Sequence, residues 1–247
     1  MTKTLEIACI GYAITADWYE GKSTGHIILV LNGFASSRLR QAAFTNFIVG
    51  ATDASALTID YTGHGDSPFE LKDTRSAQHI MEVVFTFDWI KKKYPDAKVT
   101  VIGNSYGSFL AAHLTHYRSF EKLILRAPAI YKPESLYDPW SIRFDEEDKY
   151  KHSVQQYRTN QTKLRSNPLL VTENSPFQGR ALVVIHENDE RFSGSPVIVD
   201  EGRHLYVCSQ IGDTDANQIR LDDVRQCQTK SELLPYKCLS LFRVFCL

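Results

Sequence analysis

The chain has 247 residues, enough for one sizeable α/β domain and with no need to divide into two. Its 28 basic and 29 acidic side chains leave a net charge of -1, which offers no basic field to nucleic acid or anionic lipid. No run approaches about 18 apolar residues, and the apolar start is interrupted by Glu6 and Asp17, so the expectation is a soluble, cytoplasmic protein without stable membrane insertion.

In chain order, residues 5–10 and 12–19 read as two short strands joined at Gly11 in an antiparallel hairpin. Residues 26–31 are an unbroken apolar run of the kind buried on both faces in a parallel sheet. They end in the loop Asn32-Gly33-Phe34-Ala35-Ser36-Ser37, ahead of a helix expected near Arg38. Residues 56–60 are the next strand, followed by a glycine-rich turn from Tyr61 to Pro68. From Thr74 a helix is predicted by Ile80, Val83, Val84, Phe87 and Ile90 at helical spacing, with Pro95 as its stop. Residues 98–102 form a central strand, the helix after it carries Phe109, Leu110, Ala111 and Leu114, and residues 122–126 make a further buried strand. Strands alternating with helices imply βαβ units, so the fold class is α/β: a mostly parallel sheet with helices on both faces.

Residues 131–179 break the alternation. They are polar, contain Pro133, Pro139, Pro168 and Pro176, and interleave Tyr137, Trp140, Phe144, Tyr150 and Tyr157 with charge. This reads as a small inserted lid, most of whose aromatics fix it to the sheet. Residues 180–185 restore a buried strand and lead into Glu187-Asn188-Asp189-Glu190. The expected organisation is a first part of the core over 1–130, the lid over 131–179, a core strand and acid turn over 180–190, and an atypical terminal segment over 191–247. That last segment holds Cys208, Cys227, Cys238 and Cys246 without C-x-x-C spacing, so neither a zinc site nor a disulfide framework is indicated. No metal or cofactor is expected.

The stretch that organises this pattern is Gly103-Asn104-Ser105-Tyr106-Gly107, between a β-branched run and a segment of helix formers. G-x-S-x-G in that setting is a nucleophile elbow: the glycines let strand and helix approach, and the serine sits in a strained turn with its hydroxyl exposed. The alternative is a glycine-rich βα turn with an idle serine.

With these pieces in order, the chain resembles the α/β hydrolases, and within them the serine hydrolases that include cinnamoyl esterases, monoacylglycerol lipases and serine aminopeptidase-like proteins. The resemblance rests on four motifs: Asn32-Gly33-Phe34, with Asn where the family carries His; Gly63-His64-Gly65-Asp66-Ser67; the elbow; and Glu187-Asn188-Asp189. It implies acyl transfer to Ser105 and then to water, with a histidine taking the serine proton and Asp189 orienting that histidine. Glu190 is the rival acid. The implied oxyanion donors are the backbone N–H groups of Tyr106 and Phe34. His64 is read as a structural turn residue, and His79, His113, His116 and His186 as surface or packing residues.

Past Asp189 the sequence departs from the family, which continues with a V-P turn, a helix, a strand and G-x-H. Here Glu190-Arg191-Phe192-Ser193-Gly194-Ser195-Pro196 cannot supply that helix, and the one later histidine is His204, in Gly202-Arg203-His204 after Val197-Ile198-Val199. The order Ser105, Asp189, His204 is the family's, but only 15 residues separate the last two, about half of what a helical crossover needs. From about Arg191 the chain reads as a replaced end, of the kind a frameshift or gene fusion leaves. The expected function is a cofactor-free serine hydrolase acting on small-molecule carboxylic esters, with thioesters and amides as neighbouring substrates. The rival is an impaired or non-catalytic binding protein of the same fold.

Overall fold

A computed structural model describes residues 1–129, 131, 133–143, 177–186, 205–210, 226–229 and 233–234 of the chain. The strands β1 (Thr2–Ala8) and β2 (Ala13–Tyr19) form the antiparallel hairpin expected at Gly11, which turns with a φ of +83°. Then follow β3 (Ser23–Leu31), helix α1 (Ala42–Thr52), β4 (Ala54–Ile59), α2 (Ser76–Lys93), β5 (Lys98–Asn104), α3 (Tyr106–Leu114) and β6 (Lys122–Arg126). The strands β7 (Arg180–His186), β8 (Leu205–Gln210), β9 (Gln226–Thr229) and β10 (Leu233–Leu234) complete a sheet ordered β1-β2-β4-β3-β5-β6-β7-β8-β9-β10.

Pairing is parallel from β4 through β8 and antiparallel at both margins. The apolar run of β3 is explained by burial on both faces. Ile27, Leu29 and Leu31 pack with α2 and α3, while Ile28 and Val30 pack with Ile48 of α1. On the α2 side, Ile80, Val83, Val84, Phe87 and Ile90 all enter the core, as their spacing requires. Lys91, Lys92 and Lys93 close that helix where its dipole favours cations.

The chain leaves β3 for β4 on one side and returns to β5 on the other. The strand order therefore reverses between β3 and β5, and the carboxyl ends of those two strands frame the crevice where open α/β sheets bind ligands. Ser105 stands at that point.

One expectation shifts. The helix near Arg38 opens as a short 3-10 turn over Arg38–Gln41, because Asp60 takes both the Arg38 backbone N–H (2.6 Å) and its guanidinium, and the α-helix starts only at Ala42. The sheet also continues past β7: β8 adds a parallel strand and β9 an antiparallel one, so the edge of β7 is covered by backbone pairing. Val197, Ile198 and Val199, which precede His204, lie outside the described residues. Among the described residues, no helix is long and apolar enough to cross a membrane.

Candidate active site

Ser105 links β5 to α3 with φ +53° and ψ -109°, a left-handed conformation that a residue with a Cβ adopts only when its surroundings hold it there. The hold is visible on both sides. The Ser105 N–H donates to the Arg126 carbonyl at 2.8 Å, and the Ser105 carbonyl accepts from Ala129 at 3.1 Å and Ser108 at 3.0 Å. Beneath the turn, the Ser108 hydroxyl reaches both the Gly103 carbonyl (2.7 Å) and that of Arg126 (3.0 Å).

Both elbow glycines are obligatory. A Cβ on Gly103 would run into the backbone of Gly107 and Ser108, and one on Gly107 into the carbonyls of Leu31 and Asn32. The loop of Gly33 and Phe34 flanks the serine, since a Cβ at Gly33 would lie 3.7 Å from that of Ser105. Asn32, the departure from the family pattern, is fully buried. Its carbonyl accepts from the Tyr61 hydroxyl at 3.1 Å, while its side-chain amide has no hydrogen-bond partner among the described residues.

The Gly63–Ser67 motif proves to be a clamp. Asp60, at the end of β4, receives the Arg38 guanidinium at 2.5 Å and the Asp66 N–H at 3.1 Å, while Arg38 also meets Asp17 at 3.1 Å and Asp66 at 2.8 Å. Gly63 and Gly65 take positive φ, and a Cβ on Gly65 would collide with the Asp60 carboxylate. The Ser67 hydroxyl donates to the Asp60 carbonyl at 2.6 Å and accepts the Thr15 N–H at 2.9 Å, tying the turn to β2.

His64, only 2% exposed, is structural as read. Its Nδ1 bonds the Thr62 carbonyl at 3.1 Å, its Nε2 has no hydrogen-bond partner among the described residues, and burial pushes its pKa down to about 4. His79, expected at the surface or in packing, is a packing residue with polar partners. It is fully buried and bridges the Tyr106 hydroxyl (2.7 Å at Nδ1) and the Thr62 carbonyl (3.0 Å at Nε2), with burial holding its pKa far below the ordinary value. His113 is buried against Phe109, with its pKa down at about 3 for the same reason. No sequence motif marks His79. Its place on the apolar face of α2, one position before Ile80, is the signal that it is buried.

Trp140 and Tyr131 pack on this centre. Trp140 lies 4.2 Å from Phe34 and 5.5 Å from Tyr106 between ring centroids, and its backbone N–H is held by Thr74 at 3.0 Å. Tyr137, by contrast, is 74% exposed. Phe144, Tyr150 and Tyr157 lie outside the described residues.

Asp189, Glu190 and His204 also lie outside the described residues. Strand β7 ends at His186, three positions before Asp189, on the same sheet edge as Ser105. The neighbour of His204 is placed differently. In register, Asn104, Arg126, Val184 and Cys208 stand level across four strands, so Ser105 is level with Ser209, whereas Leu205 starts β8 opposite Ala181. Leu205 is therefore about 13 Å down the sheet from that level and about 14 Å across it. Gln210, not Leu205, closes the edge that Ser105 occupies.

Residues 22–183, about two-thirds of the chain, match the family model described as serine aminopeptidase, S33. A 97-residue stretch, 38% of the chain, is 29% identical to protein phosphatase methylesterase 1 of Mus musculus, and the chain spans 25% of that relative's length. Similar solved structures include a protein of unknown function from Agrobacterium tumefaciens classed as an α/β hydrolase (TM-score 0.57, 14% identity, 85% of this chain and 84% of that one). The esterase Pf2001 of Pyrococcus furiosus aligns with a TM-score of 0.56 at 19% identity, over 75% of this chain and 70% of that one. An α/β serine hydrolase homologue from Coxiella burnetii aligns at 0.52 and 12%, over 84% and 86%. At such identities these likenesses show the fold.

Proposed function

We propose that this chain, which belongs to the serine aminopeptidase S33 family of α/β hydrolases, cleaves small carboxylic esters by acyl transfer to Ser105. The observation that carries the reading is the left-handed φ of Ser105 at the crevice between β3 and β5, since a non-glycine residue is kept in that conformation where strain has a use. Ester rather than amide chemistry is favoured by the esterase from Pyrococcus furiosus and the mouse methylesterase among the similar proteins.

In the reaction, Ser105 Oγ bonds the ester carbonyl carbon as its proton passes to an imidazole. The oxygen of the tetrahedral intermediate gathers negative charge at the N–H groups of Tyr106 and Phe34. Tyr106 is the first residue of α3, so its N–H points out of the helix end that favours anions. The imidazole returns the proton to the leaving alcohol, and water repeats the sequence to free the acid. Asp189 is the orienting carboxylate, and His204 is the base that the family's order assigns.

A second reading, an α/β-hydrolase-fold protein that binds esters but turns them over poorly, is favoured by the direction of β8, which carries the neighbour of His204 away from Ser105. A fluorophosphonate probe separates the two. Labelling that disappears in Ser105→Ala supports the hydrolase, and folded wild type that takes no label refutes it. Labelling that persists in His204→Ala removes that residue from the mechanism.

A further inference from the structure

His79 touches no reacting atom, yet a path of hydrogen bonds runs through it from helix α2 to the elbow. Glu82, one turn along α2, accepts the Thr62 N–H at 3.0 Å and the Thr62 hydroxyl at 2.7 Å. This sets the Thr62 carbonyl, which is an acceptor only, so the ring nitrogen facing it at 3.0 Å, Nε2 of His79, carries the proton. Nδ1 is then the lone-pair nitrogen, and the Tyr106 hydroxyl donates to it at 2.7 Å. The order of donors runs one way throughout, with no member of the chain exposed: Tyr106, His79, Thr62 and Glu82 are all buried.

Tyr106 is also the residue whose peptide N–H the acyl-transfer reading gives to the oxyanion. We propose that His79 is a positioning residue: by holding the Tyr106 hydroxyl it fixes the strained Ser105–Tyr106 peptide, and with it the oxyanion donor. The proposal rests on Ser105 as nucleophile. That peptide follows a residue at φ +53°, so it relaxes unless both flanks are anchored. One anchor is the Ser105 N–H on Arg126, 2.8 Å long. The other is the Tyr106 ring, packed among Tyr61, Phe109 and Tyr131 with its hydroxyl on His79. The Gly63-His64-Gly65 loop thereby acquires a purpose beyond turning the chain: it presents the Thr62 carbonyl that sets the tautomer of His79.

A merely structural histidine and a positioning one respond differently to amide replacements. Asn at position 79 places an acceptor near Nδ1 and restores the partner of Tyr106. Gln places a donor near Nε2 and restores only the partner of Thr62. The experiment measures kcat and KM for p-nitrophenyl acetate, with thermal melting, in wild type, Tyr106→Phe, His79→Asn and His79→Gln. Tyr106→Phe and His79→Gln are expected to lower kcat about 10-fold with KM within about twofold, less than the loss of a whole oxyanion donor. His79→Asn recovers most of kcat. A folded Tyr106→Phe with wild-type kcat, or Asn and Gln variants that behave alike, overturns the proposal. A wild type that turns over no ester overturns the ester reading alone. In that event hydrogen exchange at the Tyr106 amide decides: faster exchange in Tyr106→Phe and His79→Gln, restored in His79→Asn, supports positioning, and unchanged exchange refutes it.

Discussion

Acidification from pH 7 to pH 5 should destabilise this protein, and His64 supplies a measurable share. In the fold it is buried and held uncharged, with its pKa lowered from 6.5 to about 4, chiefly by desolvation. The unfolded chain takes up a proton near pH 6.5 that the folded chain refuses until about pH 4, so the stability this group contributes is present above 6.5 and lost as the pH falls toward 4. Between pH 7 and pH 5 the linkage amounts to about 2 kcal/mol for His64 alone. His79 and His113 are depressed in the same direction, while Glu82, whose buried carboxyl is raised, acts in the opposite sense. Against a total stability of about 5–15 kcal/mol, a 2 kcal/mol share is large. The assay is urea unfolding at both pH values for wild type and His64→Asn, which cannot titrate. The variant should lose about 2 kcal/mol less on acidification, and an equal loss in both proteins refutes the assignment of a buried, neutral His64.

Replacing Ser105 by Gly should raise the melting temperature, by the equivalent of about 1 kcal/mol, because relief of the left-handed strain exceeds the added chain entropy, while probe labelling is abolished. A lower melting temperature would show that the elbow is unstrained. Gly107→Ala should cost about 3 kcal/mol or more in urea unfolding, since its Cβ meets the backbone of Leu31 and Asn32, which cannot rotate aside. A variant within about 0.5 kcal/mol of wild type contradicts the close approach. Arg38→Ala should cost about 3–5 kcal/mol by leaving the buried carboxylates of Asp17 and Asp60 without their cation, a loss that circular-dichroism melting detects. A loss below about 1 kcal/mol would mean that the cluster tolerates water.

The parallel core was legible in the sequence because its signals are local. The apolar run of residues 26–31 has one explanation, burial on two faces, and the spacing of Ile80, Val83, Val84, Phe87 and Ile90 has one periodicity, so strand, helix and their alternation follow from short windows. The elbow is equally local, because two glycines and a serine within five residues define a turn that admits few alternatives. His79 was not legible. Its role comes from Tyr106, 27 positions away, and from Thr62, 17 positions away, and nothing in the residues beside it announces either partner. The placement of Leu205, next in the chain to His204, was hidden for a related reason: order along the chain says that it follows Asp189, but the direction and register of β8 decide at which edge it stands. The sequence by itself determined the fold class, the elbow and the serine at its apex, since propensity, period and steric demand act over a few residues. Tertiary structure alone decided the Asp60 clamp, the bonds of His79 and the placement of β8, because each depends on hydrogen bonds between segments that meet only once the sheet has formed.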